Sequence, residues 1–210
     1  MTQNVLPLSV NSLDLDRIAW LECIGEAKDT GNLQQITCLL DYYSQLQKHQ
    51  LEIHIDYENI YYGLRQMGRR YFAEDVIYGI EAALRQSGRI VSGTAYADWG
   101  RLNRDCHCDI QRIFEEKGIH TRYTLTGRNS ADMALANNVR DSLETGLVNA
   151  DTIVIVSGDG DFLPVAKTIK QRGRRLIILA CTRNINDAYQ ECANEVVLLD
   201  NYLKTQRYSI

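Results

Sequence analysis

The sequence predicts an α/β protein, a three-layer α/β/α sandwich built on a parallel sheet, with a helical arm at its N-terminus. Three observations predict it. From Leu51 onward, short β-rich apolar runs alternate with amphipathic stretches of helical length, the pattern of strands joined by helical crossovers. Glycines close several of the helical stretches, Gly118 and Gly173 among them. Before Leu51 only the helical period is present. At 210 residues the chain suits one well-cored domain with an appendage, divided as residues 1–50 and 51–210.

In the arm, Leu13 to Gly25 and Leu33 to His49 carry helical apolar spacing, broken at Thr30-Gly31-Asn32. Leu33, Ile36, Leu40, Tyr43 and Leu46 form one stripe, which suits either a hairpin packed on the following domain or an arm for dimerisation or partner docking. The alternation then begins with a strand at Leu51 to Asp56 and helices at Glu58 to Met67 and Ala73 to Gln86. A second strand is expected at Ile90 to Trp99, a helix at Leu102 to Lys117, a strand at Ile119 to Leu125 and a helix at Asp132 to Leu143. The remainder reads as strand Thr152 to Val156, helix Phe162 to Gln171, strand Arg175 to Ala180, a short helix Asn186 to Ala193 and strand Val196 to Leu199.

Composition narrows the classes. A net charge of -4 and a pI near 5.6 argue against a protein that coats nucleic acid non-specifically, although local arginine clusters remain able to grip a phosphate backbone. Six scattered cysteines without a CxxC pair suit reduced thiols and a cytoplasmic protein. Cys106-His107-Cys108 lacks a second cluster to complete a metal site. No segment approaches membrane-spanning length, and MTQNVLPLSV is not a secretory leader.

The chemistry lies in carboxylates. Ligands of an open doubly wound sheet bind beyond the carboxyl ends of its strands, near the point where strand order reverses. Asp56 ends the first strand, with Glu58 and Asn59 just beyond, and Asp159 and Asp161 follow the fourth in IVIVSGDGDF. If those strands are neighbours, the three aspartates share one crevice. Two close carboxylates repel unless a cation or proton intervenes; the competing reading is a glycine turn with solvated aspartates. Asp132 opens a helix in TGRNSADMALANN, where dipole stabilisation and function are both open readings. Clustered carboxylates without nearby histidine or cysteine make a hard oxygen site for Mg²⁺ or Mn²⁺. His54, inside the first strand, reads as packed or hydrogen-bonded.

Four stretches in order, IDYENIY, AYADW, NSADMALA and IVIVSGDGDFLPVAKTIKQRG, resemble the NYN domain of the LabA-like group within the PIN-like nuclease superfamily, over Leu51 to Leu203. The resemblance implies a Rossmann-like (PIN-like) sheet, a divalent-metal pocket and RNA cleavage. It places Asp56, Asp132, Asp159 and Asp161 as catalytic and metal-binding residues, with Asn59 and Ser157 in support. Many relatives have a lysine where this chain has Asn129, beside Arg128, and an aspartate where it has Asn138, a third supporting residue. The expected function is therefore a metal-dependent endoribonuclease. RNA would be gripped by Arg65, Arg69, Arg70, Arg101, Arg104 and Arg128, with Tyr61 or Trp99 as a stacking face. The alternatives are an RNA- or nucleotide-binding regulatory module and a haloacid-dehalogenase-like phosphatase. The latter has too little chain after the aspartate pair.

Overall fold

The computed structural model describes residues 49–68, 71–123 and 130–203. The two arm helices, Arg69, Arg70, Arg128 and Asn129 lie outside them. The described elements are β1 (Gln50–Asp56), α1 (Tyr57–Gln66), α2 (Ala73–Leu84), β2 (Arg89–Ala97), α3 (Trp99–Cys106), α4 (Ile110–Glu116), β3 (His120–Tyr123) and α5 (Ser130–Thr145). There follow β4 (Thr152–Val156), a 3₁₀ turn at Gly160–Phe162, α6 (Leu163–Gln171), β5 (Arg175–Ala180), α7 (Tyr189–Cys192), β6 (Glu195–Leu198) and a 3₁₀ turn at Leu199–Asn201.

Among the described residues six strands form one all-parallel sheet in the order β3-β2-β1-β4-β5-β6. The chain builds outward from β1 in one direction, returns through α5, and builds outward from β4 in the other. β1 and β4 are therefore neighbours, paired from Leu51↔Thr152 to Ile55↔Val156, and order reverses between them. Both faces of the sheet are covered, as a parallel sheet requires. Leu51, Ile53 and Ile55 pack with Ile60 and Leu64 of α1, Ile77 and Ile80 of α2, Leu102 of α3 and Phe114 of α4. On the other face Ile153, Ile155, Leu176 and Ile178 pack with Leu135 and Val139 of α5, Val165 and Ile169 of α6 and Tyr189 of α7.

Three expectations are corrected at the level of elements. The helix expected over Leu102 to Lys117 is two helices. His107 takes a left-handed conformation (φ 54°) and ends α3, and Asp109 caps α4 by accepting the Arg112 N–H at 3.2 Å. Asn103 secures the break by accepting the Ile110 N–H at 2.9 Å. Apolar spacing concealed it because Leu102, Ile110 and Phe114 still face one core. β2 stops at Ala97 instead of Trp99, since Asp98 accepts the Arg101 N–H at 3.0 Å and makes Trp99 the first residue of α3. The helix expected at Asn186 to Ala193 shrinks to Tyr189–Cys192, because the residues before it form a loop against the end of β4.

Candidate active site at the β1–β4 switch point

Asp56 is the last residue of β1 and caps α1. Its Oδ1 accepts the Asn59 N–H at 3.2 Å and its Oδ2 accepts the Ser157 hydroxyl at 3.1 Å, so one carboxylate ties the ends of β1 and β4 together. Ser157 in turn accepts the Asp159 N–H at 3.2 Å. Asp159 accepts the Asp161 N–H at 3.0 Å and caps the 3₁₀ turn, which leaves Asp161 exposed at the rim. Asp132 stands half-buried in the first turn of α5.

The electrostatics join these segments. Burial pushes the Asp56 carboxyl up to about 7, and the negative charges of Asp132 and Glu58 add to it while the bonds from Asn59 and Ser157 oppose it. Burial also raises Asp132, and Asp159, Asp161 and Glu58 raise it further. The charged groups that shift both carboxyls are other carboxylates. Carboxylates from β1, from α5 and from the loop after β4 thus lie in one another's field beyond the carboxyl ends of the central strands. The sheet explains how residues so far apart in sequence meet: each follows a strand, or stands in the first turn of a crossover helix that leaves the same edge.

Residues 50–200 match the NYN domain family. The chain belongs to the NYN domain family. That family is part of the PIN-like nuclease superfamily. The chain is also similar to an uncharacterized protein of Methanocaldococcus jannaschii, 25% identical over 128 residues, or 61% of this chain and 49% of that protein; it spans about half the length of this curated relative. In fold it is similar to the crystal structure of a protein of unknown function from Vibrio parahaemolyticus RIMD 2210633, with a TM-score of 0.59 and 22% identity over 75% of this chain and 96% of that one.

NYN and PIN-like nucleases use divalent metal ions, and the donor chemistry of this NYN domain fits a hard cation. The oxygens of Asp56, Asp132, Asp159 and Asp161, with Ser157 beside them, concentrate negative charge. Among the described residues no three histidine, cysteine, aspartate or glutamate side chains gather closely enough to cage an ion unaided. Mg²⁺ does not require a cage: it retains several waters and takes one or two carboxylates together with substrate phosphates. Cys106, His107 and Cys108 likewise do not gather into such a group.

The other sequence-derived residues of the NYN domain fall in different places. Asn59 does not face the carboxylates with its side-chain oxygen, which accepts the Gly158 N–H at 3.0 Å and the Asn184 amide at 2.7 Å. Asn138 donates to the Tyr96 hydroxyl at 2.9 Å. Arg65 lies over the Tyr61 ring and donates to its hydroxyl at 2.9 Å, and Arg101 lies over the Tyr62 ring, 5.4 Å from its centroid. Arg104 is exposed on α3. Trp99 is no stacking face. It is fully buried, packed on Tyr57 and Phe114, and its indole N–H donates to the Arg122 carbonyl at 2.9 Å.

One loop escaped the sequence reading. Residues 182–188, between β5 and α7, and Tyr189 at the start of α7 brace the SGDGDF turn: the Asn186 N–H donates to the Gly158 carbonyl at 3.0 Å, and the Tyr189 hydroxyl donates to the Asp159 carbonyl. The glycines of that turn answer a need for space and not for a left-handed backbone. Neither Gly158 nor Gly160 has positive φ. A Cβ on Gly158 would run into the Asn184 backbone, and one on Gly160 into the Asn186 side chain. They are small so that the loop can approach. The asparagines Asn184 and Asn186 at the end of a strand were the available signal.

Proposed function

We propose that this NYN domain is a divalent-metal-dependent endoribonuclease that hydrolyses RNA phosphodiester bonds. The observation that carries the reading is the convergence of carboxylates from three segments at the switch point, where the charge of Asp132 raises Asp56 and the charges of Asp159 and Asp161 raise Asp132. Asp56, Asp132, Asp159 and Asp161 hold one or two Mg²⁺ or Mn²⁺ ions. When bound, the metal lowers the pKa of its water and neutralises charge on the phosphate. Ser157 fixes the orientation of Asp56 through its hydroxyl, and Asn59 holds the β4 loop against α1 through Gly158. Arg65, Arg101, Arg104 and Arg128 grip the RNA backbone. The 1–50 arm serves as the docking or dimerisation surface, and the protein works in the cytoplasm; among the described residues no helix is long and apolar enough to cross a membrane.

Attack by water in place of the 2′-hydroxyl leaves 5′-phosphate and 3′-hydroxyl ends. The test is cleavage of labelled single-stranded and structured RNA with Mn²⁺, with end-group analysis of the products. Activity that survives chelator, or that is unchanged in Asp159→Asn, excludes the mechanism. The second reading is an RNA- or nucleotide-binding regulatory module without turnover that acts through a protein partner. Tight RNA binding without cleavage over a broad substrate set supports it.

A further inference from the structure

β1 departs from the pattern of a central strand. A strand flanked by parallel neighbours and covered by helices is ordinarily apolar on both faces, and Leu51, Ile53 and Ile55 meet this on one. On the other stand Glu52, His54 and Asp56, only 4%, 2% and 4% exposed. Asp56 belongs to the acidic crevice. Glu52 and His54 belong to a buried relay that the crevice chemistry does not use.

Its hydrogen bonds run from atom to atom, with the directions at His54 set by its tautomer. The Asn138 amide nitrogen donates to the Tyr96 hydroxyl oxygen at 2.9 Å. The Tyr96 hydroxyl is also hydrogen-bonded to His54 Nδ1, 3.0 Å away, and gives its proton there in the tautomer whose ring proton is on Nε2. With Nδ1 accepting, the ring proton sits on Nε2 and is donated to Glu52 Oε1 at 3.1 Å. The other carboxylate oxygen, Oε2, accepts the Ser142 hydroxyl at 2.6 Å. Each of these donors therefore has its acceptor across β1, β2 and α5. A buried polar network is costly unless its members are satisfied, and satisfied it holds one packing arrangement against the alternatives.

Both ends of the relay are on α5. Asn138 and Ser142 lie one turn apart on the same side of that helix, and Asp132 opens it. At the other end of the geometry, Tyr96 is the register partner of Asp56. We propose that Tyr96, His54 and Asn138 are positioning residues that clamp α5 at one rotation over β1 and β2, and so set where Asp132 stands relative to Asp56. This rests on the reading of Asp56 and Asp132 as parts of one cation site. Asn138 then serves the site from behind, by holding its helix, and its amide is spoken for by Tyr96.

The test uses the full chain with Tyr96→Phe, which removes one hydroxyl from a fully buried ring, Asn138→Ala, and their double variant. Ile169→Val, in the same core layer on α6, is a control for a modest loss of stability. Mn²⁺ affinity and amide hydrogen exchange along α5 are measured for each. The clamp predicts that Tyr96→Phe and Asn138→Ala each weaken Mn²⁺ binding about tenfold, that the double variant loses little more than either single one, and that Ile169→Val binds normally. Wild-type affinity in Tyr96→Phe, or losses that simply add, overturns it. If the wild type binds no Mn²⁺, the metal reading falls, and the clamp is decided by exchange at Leu135 to Val139. Faster exchange in the two relay variants, but not in Ile169→Val, upholds it; unchanged exchange rejects it.

Discussion

Asp56 is held where its ionised form is disfavoured. With its folded-state value near 7 against an ordinary 3.8, the folded protein keeps a proton that the unfolded chain gives up between about pH 4 and pH 7. In metal-free protein, stability therefore falls as pH rises through that window, by up to about 4 kcal/mol if the group acted alone. Urea denaturation in chelator should show the fall, and Asp56→Asn should flatten it and be more stable than wild type at pH 8. Divalent metal should stabilise the wild type most at the alkaline end. A flat profile would remove the burial account of Asp56. The glycines of SGDGDF give a second residue-scale prediction. Gly158→Ala must displace backbone at Asn184 and should cost about 1–3 kcal/mol, while Gly160→Ala meets only the Asn186 side chain and should cost less. Equal losses in thermal denaturation would contradict this. The aspartates were legible in the sequence because charge at a strand end has few other uses. The purpose of the glycines was not, because their neighbours arrive from a loop beyond the next strand.

At the scale of elements, the junction between α3 and α4 is set by two residues of opposite tendency. His107 adopts a left-handed conformation that suits glycine better, so His107→Gly should stabilise the protein by roughly 0.5–1 kcal/mol. Asp109→Ala removes the cap of α4 and should destabilise it by about 1 kcal/mol. Denaturation midpoints read both, and a stabilising Asp109→Ala would show that the two helices do not depend on this break. The alternation of strands and helices was legible because each type carries its own period. The break was not, since both helices keep their apolar residues on the same core. The LEIHID strand misleads in the other direction. Its alternation of apolar and polar residues resembles a half-solvated strand, yet β1 is central and its polar face is paired inward with Tyr96 and Ser142. Periodicity reports polarity, and only the tertiary partners decide whether polarity means solvent.

At the scale of the molecule, the proposed function asks an acidic chain with an acidic crevice to accept a polyanion. In that proposal bound cation resolves the conflict, so RNA affinity should be several-fold weaker in chelator than with Ca²⁺, as read by fluorescence anisotropy at fixed ionic strength. Stronger binding in chelator would place RNA away from the crevice. The sequence left the adjacency of the first and fourth strands as a condition, and β1 and β4 meet it. That adjacency is what brings scattered aspartates into one another's field. The central claim is that three separate segments bind the same ion, and Mn²⁺ titration of wild type, Asp56→Asn, Asp132→Asn and Asp159→Asn tests it directly. The account predicts binding by the wild type and a loss of about tenfold or more in each variant. Wild-type binding by a variant from any one of the three segments would contradict it.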